Sequence, residues 1–232
     1  MSFKNRKMGD YPRTNDGTHN YAQNTDSILK FYSLVSGYEV HFKAFITDIS
    51  DNFQSSWNTE QVFGRMDPMG SFQNTKRVIS VGWDIPAASL EEAISNMNAI
   101  STLTSMLYPG YSANPVTLKG DSTFTTANSM SRSPLVRVKF ANIISKGTGD
   151  SAQESGLLGW IDGVNIQPNV EQGFIIDNKK HYPKLYKLSI NLNVLHEHDL
   201  GFKDEKISSS DEKIHGKNIW LGEVNKKWPF GD

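Results

Sequence analysis

Cysteine is absent from the 232 residues of this chain. The protein therefore has no disulfide bonds, no zinc site built on thiolates and no cysteine nucleophile, and this composition suits a chain that folds in a reducing cytosol. Long apolar runs are also missing. Because a signal peptide or a membrane-spanning helix needs such a run, the sequence predicts a protein that is soluble or that sits inside a larger assembly, with no membrane partner.

Charge of one sign is not in excess either. Lys and Arg total 24, Asp and Glu total 25, and the formal net charge is −1. A chain with this balance has no long-range attraction, as a whole, for nucleic acid, acidic lipids or cationic partners. Its length fits one large domain or two small ones and allows a substantial core.

The clearest local pattern lies between Lys76 and Pro109. Alternation of apolar and polar residues predicts a half-buried strand that ends at Pro86. Ser89 and Glu92 then form a capping box, and apolar residues at three- and four-residue steps predict one main helix over about residues 89–107. The inward-facing strand residues are Ile79, Val81, Trp83 and Ile85, and the helical stripe is Leu90, Ala93, Ile94, Met97, Ile100, Leu103 and Leu107.

Several other segments have the period of strands. The predicted strands are a hairpin between Ile28 and Thr47, Leu135–Phe140 with Arg137 and Lys139 facing solvent, Gly156–Pro168 and Leu188–Val194. Phe174–Ile176 is predicted to pair back onto the strand at 157–168. Many strands and one strong helix indicate a mainly β (α+β) fold, an antiparallel β-sandwich or split barrel with long loops and arms.

Two segments are predicted to contain long loops. Between Asp48 and Thr75, Gly, Asp and Pro predict a short strand followed by an ordered loop, with its aromatic residues buried against the sheet. Between Tyr111 and Ser133, the abundance of Thr, Ser, Asn and Gly predicts a long loop with at most one short strand near Val116–Leu118.

Composition divides the chain into an N-terminal arm at 1–27, a β domain at 28–202 and a C-terminal extension at 203–232. The arm and the extension are polar or charged, yet they carry aromatic residues of the kind that dock on a partner. Arg65 is a further interface candidate, although beside Asp67 it also fits a local ion pair or a turn. The predicted interface residues are Tyr11, Tyr21, Arg65, Trp220, Trp228 and Phe230.

Residues with catalytic or metal-binding chemistry are sparse. In an extended strand His196 and His198 point the same way, and with Glu197 or Asp199 they suggest a metal-dependent hydrolase; no third ligand is suitably spaced. A cation site from Asp48, Asp51, Glu60 and Asp67 lacks the dense spacing of a calcium loop. The glycines at 147–151 resemble a phosphate cradle but lack its lysine. We therefore expect no enzyme, no metal site and no cofactor.

A longer pattern resembles a known family. It consists of Phe42–Asp48, Trp57–Pro68, the strand and helix from Lys76 to Leu107 closed by Tyr108–Tyr111, Gly156–Gly159, Gln172–Phe174, Tyr182–Lys184 and Leu195–His196. Together these segments, which cover roughly Ile28–Phe202, resemble the baseplate hub and tail tube initiator proteins of contractile-tailed bacteriophages.

The resemblance implies an architectural role. Family members have a tube-type β fold with one helix at its side, and their copies form rings whose sheets join into a cylinder wide enough for DNA. It implies a self-assembled, hexameric ring in the virion baseplate, made in the host cytoplasm, that contacts the tail tube protein and other hub subunits. Genome DNA would pass through the lumen without specific binding, and no catalytic residue is carried over.

A carbohydrate- or receptor-binding β module is the alternative that composition leaves open, because exposed tryptophans often stack on sugars. Trp57, Trp83 and Trp160 lie in strand patterns that predict their burial, which counts against it.

Overall fold

The structure is a computed structural model in which the described residues are 21–22, 24–43, 45–112, 115–118, 122–125, 129–147, 149–197, 200, 202–204 and 218–220. For 115–118, 122–125, 202–204 and 218–220 it describes the backbone alone.

Seven antiparallel strands form the main sheet. They are β1 (Ile28–Ser33), β2 (Glu39–Lys43), β3 (Phe45–Glu60), β4 (Met69–Pro86), β9 (Val136–Phe140), β10 (Leu157–Pro168) and β13 (Leu185–Val194). Their order across the sheet is β2-β1-β9-β10-β13-β4-β3, and the sheet is open rather than a closed barrel. β2 and β3 follow each other in the chain, yet they lie at the two opposite edges of the sheet.

Four two-stranded ladders accompany the sheet. The pairs are β5 (Gly110–Ser112) with β8 (Ser129–Arg132), β6 (Pro115–Leu118) with β7 (Ser122–Thr125), β11 (Phe174–Asp177) with β12 (Lys180–Pro183), and β14 (Phe202–Asp204) with β15 (Asn218–Trp220). Two predictions were wrong here. Four short strands replace the predicted loop at 111–133, and the Phe174 segment pairs with β12 rather than with β10, since the turn at 178–179 brings its own partner strand into register.

The predicted main helix is present as α1, Leu90–Ser105, and a single turn, α2, covers Ala152–Ser155. The Ser89 hydroxyl accepts a hydrogen bond from the backbone N–H of Glu92 at 3.2 Å, and the Glu92 carboxylate accepts one from the N–H of Ala88 at 2.9 Å. The capping interaction therefore extends one residue further back than the sequence predicts. Met97 of the predicted apolar stripe is exposed, whereas Ala99 and Met106 are buried.

The core lies where the two halves of the sheet face each other. Phe31 on β1, Phe42 on β2 and Trp83 on β4 pack together with ring centroids 5.7 to 5.9 Å apart, although β1 and β4 are separated by three strands in the sheet order. The sheet must curl over itself to bring them into contact. Ile100 and Leu103 of α1 belong to the same buried cluster. The fold is thus mainly β with one main helix, as the sequence predicts.

Lys139 was wrongly predicted to face solvent. It is only 5% exposed and lies directly across the β1–β9 ladder from Lys30, so two lysines stand side by side. The Asp26 carboxylate bridges them, with one oxygen 2.9 Å from Lys30 Nζ and the other 2.8 Å from Lys139 Nζ. Burial raises the pKa of Asp26, but the hydrogen bonds from Lys139 and Lys30 outweigh it and lower the pKa below its ordinary value.

Candidate assembly interface

Among the residues that the structure describes, the longest exposed stretch is the outer part of the β3–β4 ladder. β3 and β4 remain paired from Phe45 opposite Asp84 to Glu60 opposite Met69. Beyond the pair of Asn52 and Val78, every residue except the half-buried Ser56 is exposed as far as Lys76. We call residues 52–76 the projecting hairpin. The prediction of a short strand with a packed loop was wrong, since the two strands pair through backbone hydrogen bonds and no other described element covers them.

One face of the projecting hairpin is aromatic. Phe53 is paired with Arg77, and the Arg77 side chain lies on the inward face of β4 together with Ile79. Ser55, two residues further along β3, lies on the same face. Past a bulge after Ser56, Trp57 stands opposite Phe72, and their rings meet edge to face at 5.2 Å. Because cross-strand partners point to one side of a ladder, these aromatics extend the inward face of the sheet into solvent.

The aromatic side chains on this face are largely uncovered. The exposed fractions of Phe53, Trp57 and Phe72 are 40, 57 and 53%. At the tip, a turn closes on a hydrogen bond from the N–H of Arg65 to the carbonyl of Val62 at 3.2 Å, and Gly64 supplies the positive φ of 83° that the turn needs. Phe63 there is fully exposed. Exposed apolar patches of this kind mark interaction surfaces.

A buried ion pair fixes the point where the projecting hairpin leaves the core. The Arg77 side chain is fully buried, and its Nη2 donates to Asp51 Oδ2 at 2.6 Å while its Nε donates to Oδ1 at 3.0 Å. The guanidinium carbon also lies 5.1 Å from the centre of the Phe53 ring. A two-point guanidinium–carboxylate contact restrains direction as well as distance, so the hairpin is held at a defined angle to the sheet.

Both edges of the described main sheet are open. β2 pairs only with β1 and β3 only with β4 within the part of the chain that the structure describes. An edge strand presents unpaired N–H and C=O groups that can add a strand from another chain. The protomer thus combines two extendable edges with an apolar projection.

The predicted interface residues have different outcomes. Arg65 is exposed in the tip of the projecting hairpin, and Tyr21 is exposed in the segment before β1. Trp220 belongs to β15, for which the structure describes the backbone alone. Tyr11, Trp228 and Phe230 lie outside the described residues. The sequence reasoning missed Phe53, Trp57, Phe63 and Phe72 as surface residues because it assigned buried positions to aromatics.

Of the cluster predicted at 196–199, Glu197 is held in two charge pairs. Glu197 accepts from Arg137 at 2.5 Å and from Lys146 at 2.7 Å, and chiefly because of the Arg137 hydrogen bond its pKa falls to about 2. His196 is half-buried, while His198 and Asp199 lie outside the described residues. Glu197 therefore connects β9 and the following loop to the end of β13.

The acidic residues proposed for a cation site are spread along the ladder. Asp48 lies opposite Gly82 near the base of β3 and Glu60 opposite Met69 near its tip, about 40 Å apart at ~3.3 Å per residue. Asp51 is bound by Arg77. Within the described residues, no group of three or more His, Asp or Glu side chains is placed to hold a metal ion.

The prediction that all three tryptophans are buried was wrong for two of them. Trp83 is fully buried, but Trp57 and Trp160 are exposed. The indole N–H of Trp160 donates to Asp162 at 3.0 Å, so the ring is held on the outer face of β10. The same side of the sheet carries a groove of about 400 Å³ across β3, β4, β10 and β13, and its lining includes Asp48, Asp84, Asn165, Gln167, Lys187 and Asn191.

In the described part of the chain, no helix has the length and apolar character needed to cross a membrane. No protein-family model matches the sequence, and the search of curated proteins finds no relative.

Proposed function

We propose that the protein is a structural virion protein of a contractile phage tail, a baseplate hub or tube-initiator subunit that forms a ring continuing the tail tube. The observation that carries the proposal is the projecting hairpin. Its aromatic face and tip are exposed in the single chain, and a paired ladder of this length serves no need of the protomer's own core. Such a surface is typical of a subunit that is completed by neighbours.

Open sheet edges support the same function. A protomer whose main sheet is unpaired at both edges, as far as the structure describes it, can add strands from adjacent copies and extend its sheet around a ring. By the family resemblance we propose six copies per ring, contacts with the tail tube protein and other hub subunits, and passage of genome DNA without specific binding. The role is architectural and requires no catalytic group, cofactor or membrane.

The test is assembly with the tail proteins encoded beside it. The full chain, co-expressed with the tube and hub proteins of the same genome, should enter complexes that negative-stain images show as rings with a central opening. The purified chain alone should sediment mainly as a monomer or as weakly associating species. If the co-expressed chain remains a monomer and no ring contains it, the proposal is wrong.

The exposure of Trp160 favours one second candidate, a carbohydrate-binding β module. An exposed tryptophan held by Asp162, on a sheet face that also carries a groove, is a suitable stacking surface for a sugar ring. Glycan-array binding by the purified chain that disappears in Trp160→Ala, but persists in Trp57→Ala, would support it. An array without signal removes it.

A further inference from the structure

The groove on the outer side of the main sheet follows one row of cross-strand neighbours. Gly82 on β4 stands opposite Asp48 on β3 and Ser189 on β13, and Ser189 stands in turn opposite Asn165 on β10. All four residues line the groove. Because neighbouring strands lie ~4.8 Å apart, a row across four strands is about 14 Å long. A volume of about 400 Å³ is within the usual range for sites that bind small molecules.

The groove follows this row because its central side chains are the smallest. Gly82 has no side chain and Ser189 has a short one, and the neighbouring rows of longer side chains stand as walls on the same side of the sheet. One wall consists of Asp84, Lys187 and Gln167. The other wall contains Ser80 and Asn191, whose side chains are joined by a hydrogen bond of 2.7 Å.

A bulge in β3 brings two consecutive side chains to the groove. The pairing with β4 shifts between Ile46 and Asp48, and Thr47 is the extra residue. Thr47 and Asp48 are both exposed and both line the groove. A Cβ atom at Gly82 would lie 3.2 Å from the Thr47 hydroxyl oxygen and 3.6 Å from the Cβ of Asp48. The glycine thus leaves open the space beside this bulge, and bulges re-aim side chains next to functional sites.

One carboxylate oxygen in the groove lacks a hydrogen-bond donor. Asp84 Oδ1 is buried and has no hydrogen-bond partner in the described structure, although Lys187 stands directly opposite Asp84 across the β4–β13 ladder. A buried acceptor without a donor is unfavourable, and the penalty is larger for a charged group. A ligand that brings an N–H donor to Asp84 would remove this penalty.

The charges of the groove favour a cation with several donors. Two carboxylates, Asp48 and Asp84, and one ammonium group, Lys187, line it and give a formal charge of −1. Asp48 and Asp84 are diagonal neighbours across the β3–β4 ladder, a relation in which residues lie about 7 to 8 Å apart. A guanidinium has five N–H donors in a planar fork and can donate to two carboxylates at once, whereas an ammonium is a compact point charge.

We propose that this groove is a binding site for a small arginine-like ligand, a molecule with one guanidinium group on a short chain. The guanidinium donates to Asp84 Oδ1 and to the Asp48 carboxylate, and the chain follows the row toward Asn165, whose amide can donate and accept. The Lys187 ammonium disfavours a second positive charge on the ligand. The inference goes beyond the proposed function, since it concerns the single chain and requires no ring.

The test is a calorimetric titration of the purified full-length chain. The probe is N-acetyl-argininamide, whose only charge is the guanidinium, and the matched control is N-acetyl-citrullinamide, in which a neutral urea of the same shape replaces it. Saturable binding of the arginine derivative, at least tenfold tighter than that of the citrulline derivative, is the expected result. Equal affinity for the two compounds, or no binding of the arginine derivative, would overturn the proposal.

Two variants locate the binding in the groove. Asp84→Asn keeps the shape of the side chain and removes its charge, and should weaken binding of the arginine derivative at least tenfold. The matched control is Asp67→Asn, because Asp67 is exposed in the projecting hairpin and does not line the groove. Equal affinities of these two variants would reject the site.

Gly82→Ala places a methyl group on the floor of the groove and should also weaken binding at least tenfold. Unchanged affinity in this variant would contradict the assignment of the ligand to the central row. Circular dichroism shows whether each variant is folded, and if Gly82→Ala is not, the comparison of Asp84→Asn with Asp67→Asn decides. Ring formation with tail partners tests the proposed function alone, and the titration tests the groove alone.

Discussion

The two halves of β4 follow the same ladder and yet occupy different environments. In the inner half, Ile79, Val81, Trp83 and Ile85 alternate with polar residues and are at most 5% exposed. In the outer half, from Met69 to Lys76, every residue is exposed, including Phe72. Backbone pairing is continuous across both halves, so the difference comes from what covers the inward face.

Because of this difference, the inner half of β4 contributes to folding stability and the outer half is available for association. In the inner half, the other side of the curled sheet and α1 cover the apolar side chains, and their burial is the main favourable contribution to folding. In the outer half, the same kind of side chain remains available to another molecule. Mutations in the two halves should therefore affect different measurements.

The largest expected effect is in the inner half. Trp83→Ala removes a fully buried ring that contacts Phe31 and Phe42, and should lower the free energy of unfolding by about 4 kcal/mol. Urea unfolding followed by circular dichroism measures it. Phe63→Ala, in the fully exposed tip, should change it by less than about 0.5 kcal/mol. Similar losses in the two variants would remove the distinction between the halves.

The junction between the halves should give the next largest effect. Asp51→Ala leaves the buried Arg77 guanidinium without its carboxylate, and should cost about 3 kcal/mol of unfolding free energy. The matched control is Glu60→Ala on the same strand, where the carboxylate is exposed and the expected change is below about 0.5 kcal/mol. Should Asp51→Ala behave like the control, the ion pair does not anchor the hairpin.

A smaller, pH-dependent effect on stability is expected for Glu197, which lies outside the β3–β4 ladder. The folded-state pKa of Glu197 is about 2, below its ordinary value of 4.5. Its contribution to the free energy of unfolding is therefore complete above pH 4.5 and is lost as the pH falls toward 2. Because Glu197 is partly exposed, Glu197→Gln should cost only ~1 kcal/mol at pH 7.

The comparison of thermal unfolding at pH 7 and pH 3 provides the measurement. The difference between wild type and Glu197→Gln should shrink at pH 3, whereas exposed Glu171→Gln should follow the wild type at both values. A constant difference would show that the Arg137 and Lys146 pairs do not stabilise the folded state.

The smallest expected effect on folding is in the outer half. Trp57→Ala removes one edge-to-face contact with Phe72, worth about 1 kcal/mol locally. Amide hydrogen exchange should become faster between residues 69 and 76 and remain unchanged between 79 and 85, because the outer ladder opens independently of the core. Faster exchange in both ranges would show that the two halves open as one unit.

Local patterns in the sequence were sufficient for the core part of the fold. The alternation from Ile79 to Ile85 and the capping box at Ser89 predicted the inner half of β4 and the start of α1. Their signals are local, since period and capping depend on residues within a few positions. The strand period between Ile28 and Thr47 likewise predicted the β1–β2 hairpin, but its second strand ends at Lys43, and residues 45–47 belong to β3 instead.

Nonlocal effects explain the failures. Lys139 is buried because Asp26, far away in the chain, supplies its carboxylate. The projecting hairpin was missed because burial was assumed for Trp57 and Phe63, a rule that holds for a protomer complete in itself and not for one with an exposed apolar projection.

The position of β2 and β3 at opposite edges has a consequence for the order of folding. The β1–β2 and β3–β4 hairpins join neighbouring segments, but the pairing of Leu29 with Phe140 and of Val81 with Ile190 must wait for strands encoded much later. On the ribosome, the two early hairpins emerge tethered to each other and remain without a common sheet until β9, β10 and β13 are inserted between them. A nascent chain that stalls before β13 therefore keeps extra strand ends available for erroneous pairing.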